Sequence, residues 1–208
     1  MNNNDISTEQ IILEAAEAEF LDKGFGNAKM MAIAQRAGVS HSMLHYYFRK
    51  KENLFQMIFR QKVQSLSQIF EEIGRQHLSF FDMIRLVVEC QFDFVARNPK
   101  LPLFVLNEIV SKKENLDLLL DIVRPKLTEI FERMEPALNE EIAGGTVRPV
   151  KIRDLAMNII SMNVSTFIFM TSIMENILPG ADDKMKEMYI QERRESNVQF
   201  ILNALRPL

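Results

Sequence analysis

A single cysteine, Cys90, leaves no pair from which an intramolecular disulfide could form, so packing must hold this chain together. One cysteine and three histidines offer no recognisable zinc spacing, and no glycine-rich phosphate loop appears; no metal or other cofactor is expected. An enzyme would need a nucleophile with a base and an orienting partner. Cys90 has apolar surroundings and His77 no evident partner, so enzymatic activity is not expected either. Every long apolar run is broken by a charge or an amide before about 18 residues, including IRDLAMNIISMNVSTFIFMTSIMENIL. The first residues, MNNNDISTEQ, lack the basic-then-apolar layout of an export signal. These absences read as a cytoplasmic protein with no membrane span. Strand signals are missing too: no segment alternates apolar and polar residues between flanking turns.

What is present is enough apolar residue, 47% of 208, to bury a substantial core, and helical spacing throughout. The expected architecture is all-α. Ser7 and Gln10 form a capping-box start for a helix ending at Gly24. A short helix over about 29–37 stops at Gly38, a third runs from a cap at Ser40 to about Tyr47, and a longer one covers about 51–75. Breaks at Ser79, Asn98-Pro99, Asn115, Pro125, Gly144-Gly145 and Pro179-Gly180 leave helices near 80–97, 102–112, 116–123, 126–143, 152–178 and 182–206. Pro136 is expected to kink the helix that contains it, unless it begins a new helix.

The formal net charge of −3 hides a segregation. Residues 24–62 carry seven cations against Glu52 alone and sum to +6, while residues 1–23 sum to −5. A basic strip in an acidic chain points to a polyanion partner. Helix, short helix, glycine-containing turn, short helix is the helix-turn-helix arrangement. Seven residues of helix span roughly 10 Å and fit a major groove about 12 Å wide. In GVSHSMLHYYFRKKENLF, residues 38–55, Ser40, His41 and Ser42 lie at the N-terminal end of such a helix, where free N–H groups favour a phosphate. Met43 can touch a thymine methyl, and His45, one turn beyond His41, can donate to a base edge or a phosphate. Leu44 and Phe48 face the bundle as core, and Tyr46, Tyr47 and Lys51 have the reach to hold the DNA backbone.

The run GF-x-N-A-x-M-M-x-IA-x-x-AGVS-x-S-x-LHYYF-x-x-KENLF resembles the DNA-binding region of the TetR family of bacterial transcriptional regulators. ARNPKLPLFVLNEI, in the middle of the chain, is similar to a segment of that family's regulatory domains. The resemblance implies a helix-turn-helix DNA-binding domain in residues 1–50 and a larger helical ligand-binding and dimerisation domain in residues 51–208. It implies a homodimer that binds a near-palindromic double-stranded DNA operator, most simply a repressor released by a small molecule. Carried over by position, it implies DNA contacts from Lys29, Met31, Ser40, His41, Ser42, Met43, His45, Tyr47 and Lys51. This chain departs from the family pattern at Ala28, where threonine is usual, at Met31, where arginine or another polar residue is frequent, and at Ser42, where glycine or proline is common. Met43 stands for a common threonine and His45 for a common tyrosine.

In the C-terminal part, the helix near 152–178 is apolar on more than one side. Leu155, Ile159, Met162 and Phe169 form one row; Ala156, Ile160, Val164, Phe167 and Met174 form another. A surface helix needs only one such face, so the second row, with Val198, Ile201, Leu202 and Leu205 of the last helix, is the candidate dimer interface. Inward phase on the central helices selects Phe59, Val63, Cys90, Phe94, Phe131, Met162 and Phe169 as candidate walls of a ligand pocket. No buried arginine or acidic pair announces a charged ligand, so a mainly hydrophobic one is expected. The alternatives are a small helical hydrolase built on Cys90, and a helical adaptor that has lost DNA binding through Met31 and Met43.

Overall fold

A computed structural model describes residues 7–76, 78–111, 113–170 and 182–207. The fold is all-α, with no strand among the described residues. Nine helices are described: α1 (Thr8–Asn27), α2 (Met30–Arg36), α3 (His41–Tyr47), α4 (Lys51–Ile73), α5 (Phe80–Arg97), α6 (Leu101–Ser111), α7 (Lys113–Ala143), α8 (Ile152–Phe169) and α9 (Asp183–Leu205). They form two compact units, one from the residues up to Gln64 with Phe104–Ile122, the other from Ser65–Leu103 and the residues from Val123 onward. The expected division after residue 50 therefore differs from the division by packing, which leaves the first half of α4 with the N-terminal unit. The reason lies in the core: Leu54, Phe55 and Ile58 on α4 are buried among α1 to α3.

The N-terminal unit is an aromatic bundle. Phe25 lies 5.5 Å from Phe20 and 5.1 Å from Phe55, whose other face meets Phe59 and Phe104 at 6.2 and 5.9 Å. Each such ring, fully buried, stabilises by about 1.5–3 kcal/mol. Ser7 caps α1 by accepting from the Gln10 N–H at 3.1 Å. The Gln10 side chain reaches forward along the helix, its amide NH2 donating to Glu14 at 3.1 Å. Gly24 does not end α1 outright but breaks its backbone at φ 73° and ψ 158°, a geometry only glycine adopts cheaply, and this turns Phe25 inward. Glu19, buried on α1, is neutralised by Lys23 at 2.8 Å and Arg36 at 3.5 Å, and Arg36 also holds Asp22 at 3.0 Å. This ties α2 to α1, since a buried carboxylate without partners would be strongly destabilising.

The second unit packs α5 against α8 and α9. Ser79 and Asp182 cap α5 and α9, accepting from the Asp82 and Met185 N–H groups at 3.2 and 2.7 Å. Ile84, Val88, Leu155, Ile159, Val198, Ile201, Leu202 and Leu205 are buried together. A polar layer crosses this core: Asn163 and Asn197 are both 0% exposed. The Asn163 amide donates to the Val88 carbonyl at 3.0 Å and to Gln91, and the Asn197 amide donates to Asn163 Oδ1 at 2.9 Å. On the surface of the same helices Arg194 grips Asp93 with two bonds of 2.8 and 2.9 Å, and that bond raises the Arg194 guanidinium further above its ordinary range.

Two expectations about helix ends change. α7 runs unbroken through Pro125 and Pro136. Both prolines are exposed, as are Asp121 and Glu132 one turn earlier, so water can bond the carbonyls that the prolines leave unpaired. The helix expected to reach 178 is described as far as Phe169, and Met174 lies outside the described residues.

The expected dimer face also changes. Phe167, Val198, Ile201, Leu202 and Leu205 are buried in their own unit, and Ala156 and Val164 are half-buried; of the described members of that set only Ile160 is exposed. The apolar side chains that α8 and α9 leave in solvent are instead Met157, Ile160, Phe169, Met185, Met188 and Phe200. Two rows of apolar residues on one helix do not reveal which row the same chain covers, and here α5 covers the row of Leu155, Ile159, Asn163 and Phe167.

Candidate nucleic-acid interface

Local chemistry sets the angle between α2 and α3. Gly38 takes φ +68° at the end of α2, the Val39 N–H returns to the Ala34 carbonyl at 3.0 Å, and the Gly38 N–H to Gln35 at 3.2 Å. That is the Schellman pattern, and it stops α2 with its last carbonyls satisfied. Two residues later the Ser40 hydroxyl accepts from the Met43 N–H at 3.1 Å and starts α3. Leu44, fully buried, and Phe48, nearly so, anchor α3 to the bundle as expected.

The opposite face of α3 is open. His41, Ser42, Met43, His45, Tyr46 and Tyr47 are all exposed, with Tyr46 at 83%, and Met31 on α2 is exposed at 70%. The rings of His41 and His45 meet edge to face with centroids 4.4 Å apart, as one turn of helix dictates. Ser40 and Ser42 share a hydrogen bond of 3.0 Å, which orders the hydroxyls at the start of α3. The Tyr46 and Tyr47 rings pack at 88° with centroids 5.4 Å apart, so neither tyrosine of the pair enters the core.

The cations divide in a way the sequence did not reveal. Lys51, expected on a phosphate, instead donates from its ammonium to the carbonyls of Phe25 at 2.5 Å, Gly26 at 3.2 Å and Ala28 at 3.0 Å, and lies 4.6 Å from the centre of the Phe25 ring. An ammonium has three protons, and all three are used on the end of α1. Arg36 and Lys62 are committed to α1 carboxylates as well. Lys29, the N-cap of α2, and Arg49 and Lys50, just after α3, are exposed and have no ion pair among the described residues. Lys29 precedes α3 in the chain and Arg49 and Lys50 follow it; with Arg60 on α4, also exposed and without an ion pair among the described residues, they are the cations of the basic strip left for phosphate.

The candidate pocket residues do not converge. A cavity of about 210 Å³ lies in the second unit, lined by Phe70, Ile73, Met83, Val87, Ile130 and Met134, with Glu71, Lys126, Glu129 and Arg133 at its edge. None of Phe59, Val63, Cys90, Phe94, Phe131, Met162 and Phe169 lines it. Phe59 is buried in the N-terminal unit, Phe131 and Met162 pack against the core of the second unit, Phe94 beside Phe92 and Phe167, and Phe169 is exposed. Helical phase identifies inward residues but not where packing leaves space. Cys90 is half-buried; burial, and then the carboxylates of Asp93 and Glu89, push its thiol up, the reverse of what a nucleophilic cysteine needs.

A short capped helix seated on an aromatic bundle by Leu44 and Phe48, with its other face open and unpaired cations before and after it in sequence, is a helix-turn-helix DNA-binding module. It is the module of a transcription regulator. Residues 12–58 match the profile of bacterial regulatory proteins of the tetR family. The fatty acid metabolism regulator protein of Bacillus subtilis is 23% identical over 141 residues, 66% of this chain and 69% of that one. The nucleoid occlusion factor SlmA of Vibrio cholerae is 25% identical over 162 residues, 76% of this chain and 79% of that one. The structure of the ketosteroid transcriptional regulator KstR2 of Mycobacterium tuberculosis superposes with a TM-score of 0.73 at 16% identity, covering 100% of this chain and 98% of that one, a likeness of fold. Residues 12–58 are thus a DNA-binding module of the tetR family of bacterial regulatory proteins. No described helix is long and apolar enough to cross a membrane.

Proposed function

We propose that this regulator is a homodimeric repressor that places α3 of each subunit in a major groove of a near-palindromic operator and is released by a mainly hydrophobic small molecule. The observation that carries the reading is the open face of α3 between unpaired cations. His41, Ser42, Met43 and His45 read base edges; Met31 supplements them from α2; Lys29, Arg49 and Lys50 hold phosphates, with Tyr46 and Tyr47 beside them. Lys51 positions the module from within.

The exposed apolar residues of α8 and α9, with Met157 and Phe200 both at 64%, support a partner subunit on that surface. The cavity supports a ligand. Ligand binding favours the arrangement with the wrong half-site spacing, and a coupling of about 1–3 kcal/mol suffices for a switch.

The test is selection of bound sequences from random duplex DNA. A pair of half-sites related by a two-fold axis, with centres one helical turn or slightly more apart, roughly 34–36 Å, is the expected outcome. His45→Ala should relax the preference at one position of each half-site without abolishing binding. Enrichment of no sequence would overturn the reading in favour of an adaptor. Sedimentation of Phe200→Glu tests the dimer: it should shift the protein toward monomer, and an unchanged dimer would place the interface elsewhere.

A further inference from the structure

We propose that each half-site of the operator is specified chiefly by the C5-methyl groups of thymine, met by Met43 from α3 and Met31 from α2, and not by guanine. The inference rests on the reading of α3 as the DNA-reading helix. It deepens that reading by naming the base chemistry that is read.

The first support is where the module keeps apolar surface in solvent. Met43 is 45% exposed in the first turn of α3, where its N–H is held by the Ser40 hydroxyl at 3.1 Å. The N-terminal turns of such a helix are the part that meets base edges. Met31, in the first turn of α2, is 70% exposed, and neither methionine belongs to the buried core. The floor of the major groove is lined by hydrogen-bonding groups, and the one apolar group it offers is the thymine methyl. A methionine brought there gains by covering a methyl and loses by covering a donor or acceptor, which it strips of water without replacing the bond. Its unbranched thioether can turn to meet a methyl from several directions.

The second support is the chemistry beside the methionines. Guanine is read most often by an arginine or lysine that donates to O6 and N7 together. No residue of α3 is of either kind. Arg36, the arginine of α2, is held by Glu19 at 3.5 Å and Asp22 at 3.0 Å, and Lys51 spends its three protons on the end of α1. His41, Ser42 and His45 offer single hydrogen bonds, and the N7 acceptor they can reach is common to adenine and guanine. Gln35, exposed one turn beyond Met31 on α2, carries the amide that matches adenine, the partner of thymine. The unpaired cations Lys29, Arg49, Lys50 and Arg60 all lie outside α3. Discrimination on the reading face therefore falls to the two thioethers.

The experiment uses uracil, which pairs as thymine does and lacks only the methyl. The probe is a duplex carrying the half-sites enriched from random DNA, titrated with the full-length protein while thymine is exchanged for uracil at one symmetry-related pair of positions at a time. At the pair opposite Met43 the exchange should lower affinity about fifteenfold, or about fourfold for each methyl, as for one CH₂ group returned to water. Met43→Ala should weaken the thymine duplex by a similar factor and leave thymine and uracil equal at that pair. A change in folding would weaken both duplexes alike and would not remove the difference between them. Met31→Ala should do the same at a different pair of positions. Cytosine opposite Met43 should bind more weakly than 5-methylcytosine, again by about fourfold for each half-site. The proposal would be overturned by half-sites in which no uracil exchange changes affinity more than about twofold, well short of one methyl. A thymine preference that survives both Met43→Ala and Met31→Ala, or enriched half-sites that depend on guanine and lack thymine, would overturn it equally. Each of these results leaves the DNA-reading role of α3 standing, whereas enrichment of no sequence overturns that role and this inference with it.

Discussion

Replacing Lys51 by methionine separates two roles that look alike in sequence. Methionine keeps the apolar stem over Phe25 and removes only the ammonium, with its three bonds to the carbonyls of Phe25, Gly26 and Ala28. Hydrogen bonds from a charged donor are worth about 1.5–3 kcal/mol each when enclosed. Lys51 is half-buried and the Gly26 carbonyl is exposed enough for water to replace its partner, so the three together are discounted to about 2 kcal/mol. Since 1 kcal/mol moves the midpoint of a small domain by several degrees, thermal unfolding followed by circular dichroism should show a loss on the order of 5–10 °C. Operator titration at several salt concentrations should show a uniform drop in affinity with an unchanged slope of log affinity against log salt. Arg49→Ala and Lys50→Ala should do the opposite, leaving stability within about 0.5 kcal/mol and flattening the slope by about one unit each. A Lys51→Met protein that is fully stable but has a slope reduced by one would refute the internal role and return Lys51 to phosphate.

Two further outcomes follow from the second unit. Asn163→Ala removes the centre of the buried amide layer and strands the Gln91 oxygen and the Asn197 amide; it should lower stability by about 3 kcal/mol in chemical denaturation, more than a surface Asn→Ala on the same helix. Cys90 should react slowly with a thiol reagent: because its thiol is pushed up by burial and by Asp93 and Glu89, less thiolate is present at any given pH. Its pH–rate curve should be displaced to higher pH than that of a free cysteine peptide, and an Asp93→Asn change should bring it partway back.

Much of the N-terminal module was legible because short-range chemistry builds it. Ser7, Gly38 and Ser40 act within three to five residues of themselves, so their hydrogen bonds follow from spacing alone, and Leu44 and Phe48 follow from helical phase. The open face of α3 followed by subtraction. The partner of Lys51 did not, since the carbonyls it meets are 23 to 26 residues away and belong to a helix end bent by Gly24. Among the departures from the family pattern, Met31 and Met43 remain exposed and outside the core of the module.

The second unit was less legible for the opposite reason. Its helices are apolar on several sides, and phase cannot say which side a distant helix will cover. Val198, Ile201 and Leu205 were available to a partner until α5 buried them, and Asn163 became core only because Gln91 and Asn197 were brought to it. The cavity depends on how α4, α5 and α7 fail to fill the space around Phe70 and Met134, a remainder of packing that no single helix encodes. The sequence by itself determined that the chain is helical, the caps at Ser7, Gly38 and Ser40, and which face of α3 stays open, because those depend on neighbours within a turn or two. Tertiary structure alone decided which cations are free, which apolar face is left for a partner and where a ligand has room, because those depend on side chains brought together from far along the chain.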